Sequence, residues 1–225
     1  PSARNYQILR GIVMPYFNTA FSPVTSYVPA DDFLELMNRK LIEVVKSLPP
    51  DTQHMALSFM MEYAGLKLGD ELNFFMGYYQ CLWSGIAEIA EKKNREDFPL
   101  EELATLQAIS LFLHSLDDHL NDREIKTSHL LLLLRSQLWH ALLMSKEKIK
   151  LHRTIASDEI ENYINIYYRA ICNEKESYNL DEFCNRFRGE MTLMSMSTAT
   201  AATLSHMATD SCEGAHESLI LFGQA

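Results

Sequence analysis

An all-α, single-domain helical bundle is the fold this chain predicts, and three observations predict it. The 225 residues are 47% hydrophobic, enough to bury one sizeable core. Only 8 Gly and 7 Pro interrupt the patterning, and 11 Met suit an adaptable helical interior. Strand-like alternation is absent, and no Pro/Gly/Ser-rich linker, internal repeat or low-complexity segment divides residues 1–225.

The elements follow from their boundaries. Pro29, Pro49-Pro50 and Pro99 punctuate the first half. Asp31 or Asp32 after the first proline caps a helix over 31–48, and Asp51 or Thr52 after the second caps one over 52–68. Helices over 71–92 and 101–122 complete this half. The second half reads as helices over 127–150, 157–176, 180–208 and 213–225, with Ser157 and Asp181 as starts.

Charge and cysteine usage narrow the function. A net charge of −10 argues against nucleic-acid binding as the main activity, because phosphate backbones attract basic surfaces. Cys81, Cys172, Cys184 and Cys212 show no Cys-x-x-Cys spacing and are too sparse for a disulfide framework, so reduced structural thiols are expected. No apolar run reaches the roughly 18 residues of a membrane-spanning helix, and the N-terminus lacks a signal-peptide pattern. The expectation is a cytoplasmic protein without stable membrane insertion. A chain that starts at Pro1 without methionine reads as trimmed.

The most telling stretch is Asp117-Asp118-His119-Leu120-Asn121-Asp122, three carboxylates late in a largely apolar helix. At about 100° per residue, Asp118 and Asp122 lie one turn apart on one face, with Asp117 roughly a quarter-turn away. Their repulsion would be relieved by a hard divalent ion. Mg²⁺ takes oxygen ligands, keeps several waters and completes its shell with substrate phosphates. Upstream, His114, Leu111, Gln107 and Ala104 continue the acid-bearing stripe, while Ile109, Phe112, Leu113, Leu116 and Leu120 form an apolar stripe on the opposite side. The apolar stripe is core. The mixed stripe either lines a partly polar cavity with the acids at its mouth or meets solvent.

Leu116-Asp117-Asp118-His119-Leu120-Asn121-Asp122-Arg123 resembles the first aspartate-rich motif, Asp-Asp-x-x-Asp, of class I isoprenoid synthases, which include trans-prenyl diphosphate synthases and terpene synthases. The resemblance implies a bundle of the isoprenoid synthase type, with Asp117, Asp118 and Asp122 as catalytic acids that bind Mg²⁺. The ion would grip an allylic prenyl diphosphate and help to expel pyrophosphate as a Lewis acid. Two registers are open: aligned on the Asp-Asp pair, the third acid falls on Asn121, whereas the i, i+4 spacing selects Asp118 and Asp122. Cys212-Glu213-Gly214-Ala215 and Phe222-Gly223-Gln224-Ala225 look like the Gly-Ala and Phe-Gly-x-Ala steps that precede the second aspartate-rich motif. That alignment implies a bundle lacking its last helices, with the second cluster after Ala225.

The departures decide which branch is expected. Gly65-Leu66-Lys67-Leu68 is a worn form of the Gly-Gly-Lys-Arg of elongation enzymes, Arg123 alone follows the acids, Lys126-Thr127 comes too early for their Lys-Thr step, and no lysine follows Lys175. A terpene synthase-like enzyme acting on one allylic diphosphate fits these losses better than a chain-elongating prenyltransferase. A non-catalytic helical partner subunit is the alternative from another class, and a homodimer is admitted. Arg123 is the nearest phosphate contact. Arg186 and Arg188 would reach a diphosphate across the cavity, since guanidinium suits phosphate geometry. Leu111, two turns below Asp118, marks the path of a prenyl tail if Asp118 and Asp122 lead. If Asp117 leads, Phe112 and Leu113 take that role.

Other constellations read as structural. Asn173, Ser177 and Asp181 have the spacing of a second terpene-cyclase metal motif but follow the first acids too closely. Glu213-x-x-His216 lacks the second Glu-x-x-His of a di-iron bundle. Tyr167-Tyr168 and Phe74-Phe75 offer aromatic faces to a carbocation, or simply pack in the core.

Overall fold

The computed structural model of the chain describes residues 30–64, 74–75, 100–150, 154–173, 181 and 188–195. Among them are six helices and no strand: α1 (Ala30–Lys46), α2 (Pro50–Ala64), α3 (Leu100–Asn121), α4 (His129–Lys150), α5 (Thr154–Asn173) and the short α6 (Arg188–Thr192). No described helix is long and apolar enough to cross a membrane. The stretches Gly65–Lys67, Cys212–Ala215 and Phe222–Ala225, and the helix over 213–225, lie outside the described residues, as do most of the helices over 71–92 and 180–208.

Local chemistry sets the boundaries. α2 begins at Pro50, earlier than the Asp/Thr signals suggest, because proline at a first helical position has no N–H to satisfy and its φ is already helical. The Pro49 carbonyl accepts from Gln53 N at 2.9 Å and from Thr52 Oγ1 at 3.0 Å. Gln53 Nε2 also donates to the carbonyls of Lys46 and Leu48, closing the end of α1, where intrahelical donors have run out. At the start of α4, Ser128 Oγ accepts from Leu131 N at 3.2 Å, an N-cap bond to the third helical residue.

α3 is the central helix. It packs against α1 and α4; α4 also contacts α2 and α5, and α5 contacts α6. Every residue from Leu103 to Leu113 except Thr105 is buried, so the mixed stripe of Ala104, Gln107 and Leu111 is as enclosed as the apolar one. A helix buried all round belongs to the interior. Two of its buried polar side chains are satisfied there: Gln107 Nε2 donates to the Ser195 carbonyl, and Ser110 Oγ donates to the Leu106 carbonyl at 2.8 Å. On the α2 side Phe112 meets Phe59 and Phe74 edge-on, with ring centroids 5.5 and 5.3 Å apart. Phe74 is tied to α1 through its N–H, which donates to Asn38 Oδ1 at 2.9 Å. Lys146 of α4, itself buried, reaches Glu161 of α5 at 2.7 Å.

Candidate functional site

α3 ends in a Schellman motif that fixes where the acids stand. Glu124 N donates to the His119 carbonyl at 3.0 Å and Arg123 N to the Leu120 carbonyl at 3.3 Å, with Arg123 left-handed at φ 59°. Glycine usually holds this position because it has no Cβ to clash. Asp122 is therefore the cap residue, and its N–H still donates to the Asp118 carbonyl at 2.9 Å, so the two acids stand one turn apart. His119, between them in sequence, belongs to the α2 side. Its ring packs edge-on against Phe59 and Tyr63, and Nδ1 donates to the Ser115 carbonyl at 2.8 Å.

Asp117 faces α4 and α5 and is only 3% exposed. Arg135 donates to it twice, Nε to Oδ1 at 2.5 Å and Nη2 to Oδ2 at 3.0 Å, and the Tyr167 hydroxyl donates to Oδ2 at 2.9 Å. Charge-assisted, fork-like pairing of this kind is strong and directional. Burial and then the Asp117 charge push the Tyr167 phenol well above its usual range, so it stays a donor. The same carboxylate holds Arg135 more firmly protonated, against opposing burial. The Arg135 guanidinium lies 5.8 Å from the Trp139 ring, and Trp139 stacks on Tyr168 at 4.7 Å.

The other two acids are differently placed. Asp118 is half-buried and Asp122 exposed. Partial burial, then the charges of Asp118 and Glu124, raise the Asp122 carboxyl above the ordinary carboxylate range, with His119 opposing. Both stand at the carboxyl end of a helix, where the macrodipole already disfavours negative charge. One turn below Asp118, His114 is pushed down by burial, against the charges of Asp118 and Asp117, and is neutral at physiological pH. Its Nδ1 is enclosed and has no hydrogen-bond partner.

The donor set of Asp118 and Asp122, two hard carboxylates with Asp122 exposed to solvent, is one that suits Mg²⁺, which keeps several waters and takes phosphate oxygens. Among the described residues, no three His, Cys, Asp or Glu side chains are grouped to hold an ion by themselves. The predicted tail-path residues Leu111, Phe112 and Leu113 are all buried in the core beneath the acids. Of the aromatic pairs, Tyr167, Phe74 and Phe75 are buried, and Tyr168 is exposed. Arg186 and the Arg188 side chain lie outside the described residues.

Sequence reasoning passed over Arg135 and the hydroxyl of Tyr167 as partners of Asp117. A signal was present: Arg135 is the only Lys or Arg between Lys126 and Lys146, and it sits at helical spacing from the core positions Leu131, Leu138 and Leu142. A cation on an apolar stripe calls for a buried anion. Comparison of the chain with protein-family models, curated proteins and solved structures finds no match.

Proposed function

We propose that the chain is a class I terpene synthase-like enzyme that ionises one allylic prenyl diphosphate in the presence of Mg²⁺ and releases pyrophosphate. The observation that carries this reading is the placing of Asp118 and Asp122 one turn apart at the carboxyl end of the central helix, where burial and then the Asp118 charge raise the Asp122 carboxyl and the helix dipole disfavours negative charge. A divalent cation turns that arrangement from a liability into a site. When bound, Mg²⁺ supplies charge neutralisation that makes the diphosphate a better leaving group.

In this reading Asp118 and Asp122 hold the ion, beside Asp117 as the remaining acid of the motif. Arg123, kept in a strained backbone conformation next to them, contacts phosphate oxygens; strain of this sort is common at ligand-binding positions. In the register led by Asp118 and Asp122, Leu111, buried two turns below Asp118, meets the prenyl tail and limits its length, whereas Phe112 and Leu113 would do so only if Asp117 led the motif.

A non-catalytic helical partner subunit is the second reading. Asn121 stands at the third acidic position of the motif when the Asp-Asp pair is aligned, and the oxygens of Asp117 are engaged by Arg135 and Tyr167. Titration of the protein with inorganic pyrophosphate in a calorimeter tests the primary reading. Binding should require Mg²⁺, and Asp118→Asn should weaken it by roughly a hundredfold while helix content by circular dichroism is kept. Equal binding in chelator would overturn the reading.

A further inference from the structure

We propose that Asp117 is a positioning residue: with Arg135 and Tyr167 it forms a buried anchor that fixes the rotation of the last turn of α3, so that Asp118 and Asp122 alone face the ligand. This rests on the diphosphate reading above and selects one of the two registers open in the sequence.

The geometry carries it. A carboxylate offers about four lone-pair directions, and three of those of Asp117 are taken by Arg135 Nε, Arg135 Nη2 and the Tyr167 hydroxyl. With 3% exposure the residue sits against α4 and α5. Withdrawing the carboxylate to coordinate an ion would leave Arg135 without its counter-charge and the fully buried Tyr167 hydroxyl without an acceptor, and both losses are unfavourable. Three donors from two helices also make the anchor stiff. Because Asp117 and Asp118 are adjacent, holding the first against α4 and α5 sets the direction of the second. The Schellman bonds to the His119 and Leu120 carbonyls fix the end of the same turn. The last turn is thus clamped on both sides of Asp118.

The test is a set of calorimetric titrations of the full chain with inorganic pyrophosphate in Mg²⁺. Arg135→Met should weaken binding by about tenfold or more, as loss of a group that orients a metal ligand does. The carboxylate left behind is buried without its counter-charge, holding only the Tyr167 hydroxyl, and is expected to pull the turn out of place. Asp117→Leu/Arg135→Met, which removes both charges, should recover part of that loss but not all of it, since the anchor is gone and the Tyr167 hydroxyl loses its acceptor; additive damage would not give such a coupling. Tyr167→Phe keeps the ion pair and should weaken binding by a few-fold, about threefold. Should Arg135→Met fail to fold by circular dichroism, Tyr167→Phe and the double variant carry the test. If the double variant loses as much as Asp118→Asn, Asp117 is a ligand and the anchor is wrong. If Arg135→Met and Tyr167→Phe both bind like the unaltered protein, the positioning role is wrong while the diphosphate reading stands. If the unaltered protein itself shows no Mg²⁺-dependent binding, the diphosphate reading fails and takes this role with it.

Discussion

At φ 59° Arg123 holds a conformation that a side chain makes costly and glycine does not. Arg123→Gly should therefore stabilise the fold by about 1 kcal/mol in urea denaturation, yet weaken Mg²⁺-dependent pyrophosphate binding by removing a phosphate contact. A gain in stability with unchanged binding would remove Arg123 from the site. Asp122 makes a parallel prediction with a pH signature. Its folded pKa is raised, so the ionised carboxylate opposes folding; that penalty is full above the raised pKa and vanishes below the unfolded value of about 3.9. Near pH 7, Asp122→Asn should be more stable than the unaltered chain by about 0.2–0.5 kcal/mol, the size of a like-charge pair one helical turn apart. The difference should shrink to nothing as the pH falls through the carboxylate range. Denaturant midpoints at several pH values would check it.

Among the helices, α3 and α4 show what a sequence can and cannot convey. The start of α3 and the acids at its end were legible, because the proline at 99 and the polar run after Leu120 bound a long apolar segment. Its burial on every side was not, since the mixed stripe reads equally well as a surface until the segment around Ser195, whose carbonyl Gln107 reaches, is laid against it. α4 is harder still: Leu130 through Leu134 form an unbroken run, in which periodicity cannot choose a face. The structure buries Leu131, Leu134, Leu138 and Leu142 and exposes Leu132, Leu133, Leu143 and Met144. Leu138→Ala should thus cost about 2–5 kcal/mol by denaturation, whereas Leu143→Ala should stay within about 0.5 kcal/mol. The pairing of Asp117 with Arg135 was hidden for a related reason. Partners 18 residues apart on different helices meet only through packing, and no local spacing encodes the encounter.

For the molecule as a whole, the described helices enclose one long element, α3, and leave Asp122 at its carboxyl end exposed with Asp118 half-buried beside it. A net charge of −10 disfavours a dianionic or trianionic ligand unless a cation accompanies it. The predicted requirement for Mg²⁺ is thus a property of the whole chain as well as of two carboxylates. The proposed reading expects one prenyl diphosphate to suffice, because Gly65-Leu66-Lys67-Leu68 is only a worn form of the basic step that holds a second one in elongation enzymes. The most direct test is to incubate the protein with a single allylic prenyl diphosphate and measure pyrophosphate release and organic products. Mg²⁺-dependent release is expected, with a hydrocarbon or alcohol product, indifference to added isopentenyl diphosphate, and loss of release in Asp118→Asn. Absence of release from any prenyl chain length, with pyrophosphate still bound in Mg²⁺, would contradict the enzyme and leave the partner-subunit reading; a longer prenyl diphosphate among the products would contradict the single-substrate claim.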